Sequence, residues 1–224
     1  MEFDASMMYA GAPAKQFGRF TVRIRSHWND KKKERSLEEV AGALAFIEWR
    51  IASKALLDLE NEGFQTDTQL QRLDVLQELC AFLIHITDRM VHDSMNDEER
   101  QRFIIELALK TADTYHDNRV DSEGRGQDFR QPFIDVLNTR MADYAEFLFE
   151  DGEPGYGFKR YLGEQVTNSM GPKDRKWISD QVMEIEVPDM TKTLKKGLKD
   201  LFDSGNTEQP ESTEKSDNST QTSS

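Results

Sequence analysis

The residues best suited to chemistry are His85, Asp88 and His92, spaced i, i+3 and i+7 within Leu70 to His92, LQRLDVLQELCAFLIHITDRMVH. On a helix this spacing puts three side chains on one face. Asp113 and His116 repeat the i, i+3 step, Glu48 interrupts an apolar stripe, and Glu146 falls in a fourth helical stretch. Carboxylates and imidazoles drawn from several helices are the donor set with which di-iron and di-manganese carboxylate proteins hold their ions. Hard and borderline cations want such donors at roughly 2.0–2.6 Å. That family uses Glu-x-x-His, which occurs nowhere here: Asp113-x-x-His116 has a shorter acid and His85-x-x-Asp88 runs in reverse. A metal-binding bundle holding iron or manganese, acting in oxidation or metal handling, is therefore the alternative. In the plainer reading His85 is a buried, hydrogen-bonded histidine, Asp88 and Arg89 are structural partners, and His92 is solvated at a helix end. It implies no cofactor.

Other chemistry leaves less trace. No Gly-x-Ser-x-Gly, phosphate-binding loop or His-Glu-x-x-His occurs. Gly124-x-Gly126 follows a helix rather than a strand and lacks a third glycine. Gly152 to Gly157 precedes a helix and its amides could meet an anion, but its composition reads as a loop. The glycine positions in Asp117–Asp128 do not fit a calcium loop. With no recognisable pairing of nucleophile and base, the sequence leans away from an enzyme.

Several long helices must position these residues. Ser36-Leu-Glu-Glu39 is a capping box opening a helix from Leu37 to about Glu62, with Val40, Leu44, Ile47, Ile51, Ala55 and Leu59 as its apolar face and Gly63 as its stop. Thr66 and Gln69 are expected to open the central helix, whose apolar run Leu79–Ile86 calls for protein on most sides. Asn96 caps a third, Asp97 to about Asn118; Asp121–Asp128 reads as loop. Pro132 suits the first turn of a fourth, running to Glu150 with Phe133, Leu137, Met141, Tyr144 and Leu148 inward. Beyond the break at Asp151–Gly157 come Phe158–Ser169, Lys173–Glu184 behind Pro172, and Met190–Phe202 behind Pro188. The last is amphipathic and is expected to dock on the body. The fold expected is all-α: an antiparallel bundle of about four long helices plus two or three shorter C-terminal ones.

The 224 residues divide into a basic arm at 1–35, expected to be flexible, a helical domain at 36–202, and a polar tail at 203–224 too poor in apolar residues to fold. Net charge is −13, but Lys15 to Arg35 carry +6, leaving −19 on the rest. So acidic a body argues against nucleic acid as partner. The arm alternates Phe20, Val22 and Ile24 with Arg19, Arg23 and Arg25, then continues through Trp28 to Lys31, Lys32 and Lys33. Arginine and aromatic side chains together suit a protein interface. The same charges suit peripheral contact with an anionic membrane, or folding back onto the acidic body. No apolar run would span a bilayer, no secretory leader is legible, and the single Cys80 permits no internal disulfide, so a cytoplasmic location is expected. The function expected is that of a non-enzymatic helical interaction or regulatory protein whose arm (Arg19, Arg23, Arg25, Trp28 and Lys31 to Lys33) meets a partner protein; the sequence leaves oligomeric state open.

Overall fold

The computed structural model describes residues 36–203 except 172 and 174, so the arm and the tail lie outside the described residues. Within them the chain is all-α: α1 Leu37–Asn61, α2 Gln69–Val91, α3 Asp97–Glu123, α4 Arg130–Ala145, α5 Tyr156–Met170, α6 Arg175–Gln181 and α7 Val187–Asp203, with a two-residue hairpin, β1 Phe149–Glu150 and β2 Glu153–Pro154, between α4 and α5.

α1 starts as its sequence dictates. The Ser36 hydroxyl accepts from the Glu39 amide and the Glu39 carboxylate accepts from the Ser36 amide, closing the box. α2 starts two residues later than expected. Its N-cap is Thr68, whose hydroxyl accepts from the Gln71 amide, while Thr66 donates to Glu60 of α1. Three consecutive alternatives (Thr66, Asp67, Thr68) can all cap a helix, and the contact back to α1 decides among them. Asn96 caps α3 by accepting from Glu99.

Two helix ends depart from expectation. α3 runs on to Glu123, because Arg119 packs over Phe129, bonds Asp74 of α2 and pairs with Glu123 one turn on. α4 stops at Ala145 rather than Glu150. Leu148, expected on the buried stripe, is 70% exposed, and the next residues form the hairpin. Its turn residues Asp151 and Gly152 both take positive φ, 54° and 74°, as a twisted two-residue turn requires.

Pro188 does not begin a helix. α6, a π-helical turn at Val182–Glu186 and α7 run on without interruption. Proline in a helix lacks its own donor and crowds the carbonyl four residues back. Here the Val187 amide reaches the Val182 carbonyl five residues back, so the wider turn lies immediately ahead of the ring.

α2 is the axis, packed by α1, α3, α4, α5 and α7. Leu73, Leu79, Phe82, Leu83, Ile84 and Ile86 on it are fully buried. The apolar face of α7, Met190, Leu194 and Leu198, is buried with α1 alongside, while Lys192, Lys196 and Lys199 point to solvent. Among the described residues no helix is long and apolar enough to cross a membrane.

Candidate functional site

The three residues that share a face of α2 fan out between different neighbours. His85 turns toward α4 and α5: its ring lies 5.6 Å from that of Tyr144 and 5.4 Å from that of Phe158, and its Nδ1 is 3.3 Å from the Met141 sulfur. Its Nε2 accepts from the Arg89 guanidinium at 3.2 Å, and Arg89 also donates to the carbonyl of Ala145, at the end of α4. Burial first, and the Arg89 charge second, press the imidazole pKa down to about 3, so it is neutral. Asp88 turns toward α3, 3.6 Å from Arg100; burial raises its pKa, with Arg100, Arg89 and His92 opposing. His92 is exposed beside Asp93.

The remaining candidates are separate again. Asp113 accepts from Arg130 at the start of α4. His116 accepts the Phe129 amide at 3.1 Å, and no side chain caps α4 at Phe129 itself. This histidine therefore does a capping job for the next helix. Glu146 is exposed just past α4. Glu48 is fully buried on α1, with one oxygen accepting from Thr87 of α2 at 2.6 Å and the other without a hydrogen-bond partner among the described residues. Thr87 lies two residues from His85, which puts Glu48 and the imidazole on different sides of α2. Burial outweighs the Thr87 bond and lifts the Glu48 pKa to about 8.

Among the described residues no group of three or more His, Cys, Asp or Glu is placed to hold a metal ion. Glu48, His85, Asp88, His92, Asp113 and His116 are not brought together. Cys80 is buried and its thiol pKa is raised by burial and by Glu48, which removes it from the thiolate range where cysteines react.

The structure does assemble one polar cluster that spacing alone did not single out. Glu78 sits seven residues before His85, on the same stripe of α2, and its two oxygens accept from Arg140 of α4 at 2.7 and 2.8 Å. Arg140 reaches the Tyr161 hydroxyl, which donates to Asp143. The Tyr144 hydroxyl, in the same seam, is buried without a hydrogen-bond partner among the described residues. The legible signal was Glu78 within a stripe of Phe82, His85 and Arg89; the partners, 62 and more residues away, were not. The bidentate Glu78–Arg140 pair ties α2 to α4, and the Tyr161 hydroxyl joins α5 to it.

The basic arm lies outside the described residues. The exposed large apolar side chains of the described residues include Leu109, Leu148, Tyr156, Trp177 and Ile185 as well as a set aligned along α1. Phe46 (64% exposed), half-buried Trp49, Ser53 and Leu57 (48% exposed) follow one another at helical spacing along α1, with the Arg50 guanidinium 5.9 Å from the Phe46 ring centre. No family model, curated protein or solved structure matches the chain.

Proposed function

We propose that this chain is a non-enzymatic, cytoplasmic helical protein that binds a partner protein in an interaction or regulatory role. One observation carries the reading: α1, whose other sides are packed by α2, α3 and α7, leaves Phe46 and Leu57 exposed on its remaining face with Trp49 half-buried between them. Isolated exposed apolar residues are ordinary, whereas apolar side chains aligned on one otherwise unpacked helix face suit an interaction surface. Arg50 and Trp49 belong to the residue types enriched at binding hot spots. The basic arm, with Arg19, Arg23, Arg25, Trp28 and Lys31 to Lys33, joins the chain at the start of this same helix and supplies the second contact element.

The experiment is capture from cytosol with three baits: the full chain, a chain lacking residues 1–35, and the Phe46→Asp/Leu57→Asp variant. A partner held by the full chain and lost from both altered baits, all three with the same circular dichroism, is the expected result. Identical capture profiles would sink the proposal.

A further inference from the structure

We propose that the outer face of α1 is the docking site of the chain's own N-terminal segment, residues 17–35, in the partner-free protein. The inference concerns the free chain and does not depend on whether a partner exists.

Three features of the molecule argue for this occupant. The first is reach. The arm enters α1 at Ser36, and α1 is about 37 Å long at 1.5 Å per residue over its 25 residues. Going backward from Ser36, the eight residues to Trp28 span at most about 26 Å, and the eleven to Arg25 about 36 Å. An arm running antiparallel to α1 can therefore set Trp28 anywhere from Phe46 to about Ser53, and Arg25 at the helix's far end.

The second is charge. An arm running back along α1 would carry Lys31, Lys32, Lys33 and Arg35 past its acidic first turn, Glu38 and Glu39. Arg102 bonds Glu38 and so holds the first turn of α3, with its Asp97, Glu98 and Glu99, at the same end of the bundle. At the other end α1 finishes with Glu62 exposed and no basic residue in its last turn, where the helix also presents its negative pole. Arginines arriving there meet Glu62 and the helix's negative pole, while Glu60 is already paired with Arg72 and Asp58 with Lys54. Lys54, which would repel them midway, is taken up by Asp58 and Asp189.

The third is pattern. Phe20, Val22 and Ile24 alternate with Arg19, Arg23 and Arg25, so an extended arm has one apolar edge and one basic edge. Fully stretched, the arm sets Trp28 over the Phe46–Leu57 row and carries Ile24, Val22 and Phe20 past the end of α1, so its apolar edge meets the row only where the arm is less than fully stretched. Trp28 or a phenylalanine of the arm can also stack on Arg50. Docking there covers the same row in the partner-free chain, and a partner that takes up both the row and the arm displaces the arm from it.

The test places a nitroxide on Ser26→Cys in a Cys80→Ala background and follows the indole resonance of Trp49 and the methyl resonances of Leu57. The expected result is broadening of both when label and isotope are on the same molecule, weakened at 0.5 M salt by shorter screening. No broadening overturns the proposal. Broadening found only when labelled and isotope-enriched molecules are mixed also overturns it, because the occupant is then a second copy.

A second measurement leaves Cys80 untouched. Trypsin cleavage at Arg19, Arg23 and Arg25 is compared in wild type and in Phe46→Asp/Leu57→Asp, both positions being solvent-exposed. Cleavage of a transiently open segment tracks its open population, so the variant should be cut at least about fivefold faster. Equal rates overturn the docking. Neither outcome alters the capture experiment above, so the two ideas fail separately.

Discussion

Glu48 and His85 give the protein opposite responses to pH. Glu48 has a folded pKa of about 8 against an ordinary 4.5, so between those values the unfolded chain has released a proton that the folded chain keeps. Stability therefore falls as pH rises through that window, by about 1.4 kcal/mol per pH unit for one proton. His85 works the other way: its folded pKa is about 3 against 6.5, the unfolded chain binds the extra proton, and stability rises with pH between the two. From pH 4.5 to 6.5 the two contributions cancel, and above 6.5 only the loss at Glu48 remains. Glu48→Gln keeps an acceptor for Thr87 and removes the titration. Denaturant unfolding at pH 5.5, 6.5 and 8 should show the variant gaining on wild type from 6.5 to 8; parallel losses in both would refute the assignment. Both residues stood out in the sequence, one as a break in a stripe and one as part of a histidine face. What could not be read was direction. Neighbours on a helix face such as His85 and Asp88 point to different helices, and only the packing of α3 against one side and α4 and α5 against the other decides which.

Helices in this fold meet at distances that two glycines report. A Cβ at Gly163 of α5 would lie 2.6 Å from the Ser179 hydroxyl and 3.2 Å from its backbone carbonyl oxygen, so α6 approaches closer than any other side chain allows. At Gly42 of α1 a Cβ would meet nothing within 4 Å. Alanine in an open helix position raises stability by about 0.5–1 kcal/mol. Gly42→Ala should show that gain, whereas Gly163→Ala should lose about 1–3 kcal/mol through overpacking. Equal shifts in thermal midpoint would contradict the close approach. At this scale the sequence was most informative where one residue acts locally: Ser36 with Glu39, and Asn96 with Glu99, cap as read. It was least informative where a distant element decides. α3 is prolonged by Arg119 reaching Asp74 and Phe129, and α2 is capped by Thr68 because Thr66 is drawn to Glu60. Pro188 read as a boundary because a proline inside a helix normally breaks it. The π-turn that lets the helix continue needs Val187 to bond five residues back, and no spacing in the sequence announces that.

Across the whole molecule, α2 lies between two groups of helices that also meet where α3 packs on α4 and where α6 runs on into α7. α1, α3 and α7 pack on it, and so do α4 and α5, the latter carrying α6. Burying one helix in both groups leaves neither with a core of its own, which favours a single cooperative transition. The two tryptophans of the described residues report on the two sides: Trp49 lies on α1 and Trp177 on α6. With Trp28→Phe and each of the others removed in turn, fluorescence from Trp49 and from Trp177 should share one denaturant midpoint. Leu79→Ala, at a fully buried position of α2, should lower both midpoints together, by the about 2–5 kcal/mol typical of such cavities. Leu57→Ala, on the exposed row of α1, should stay within about 0.5 kcal/mol. If α6 melted first, Trp177 would report an earlier transition, and Leu79→Ala would move the Trp49 midpoint alone. That pattern would mean that the Glu78–Arg140 pair and the rings around His85 bind α4 and α5 to α2 too weakly to make one unit of the chain.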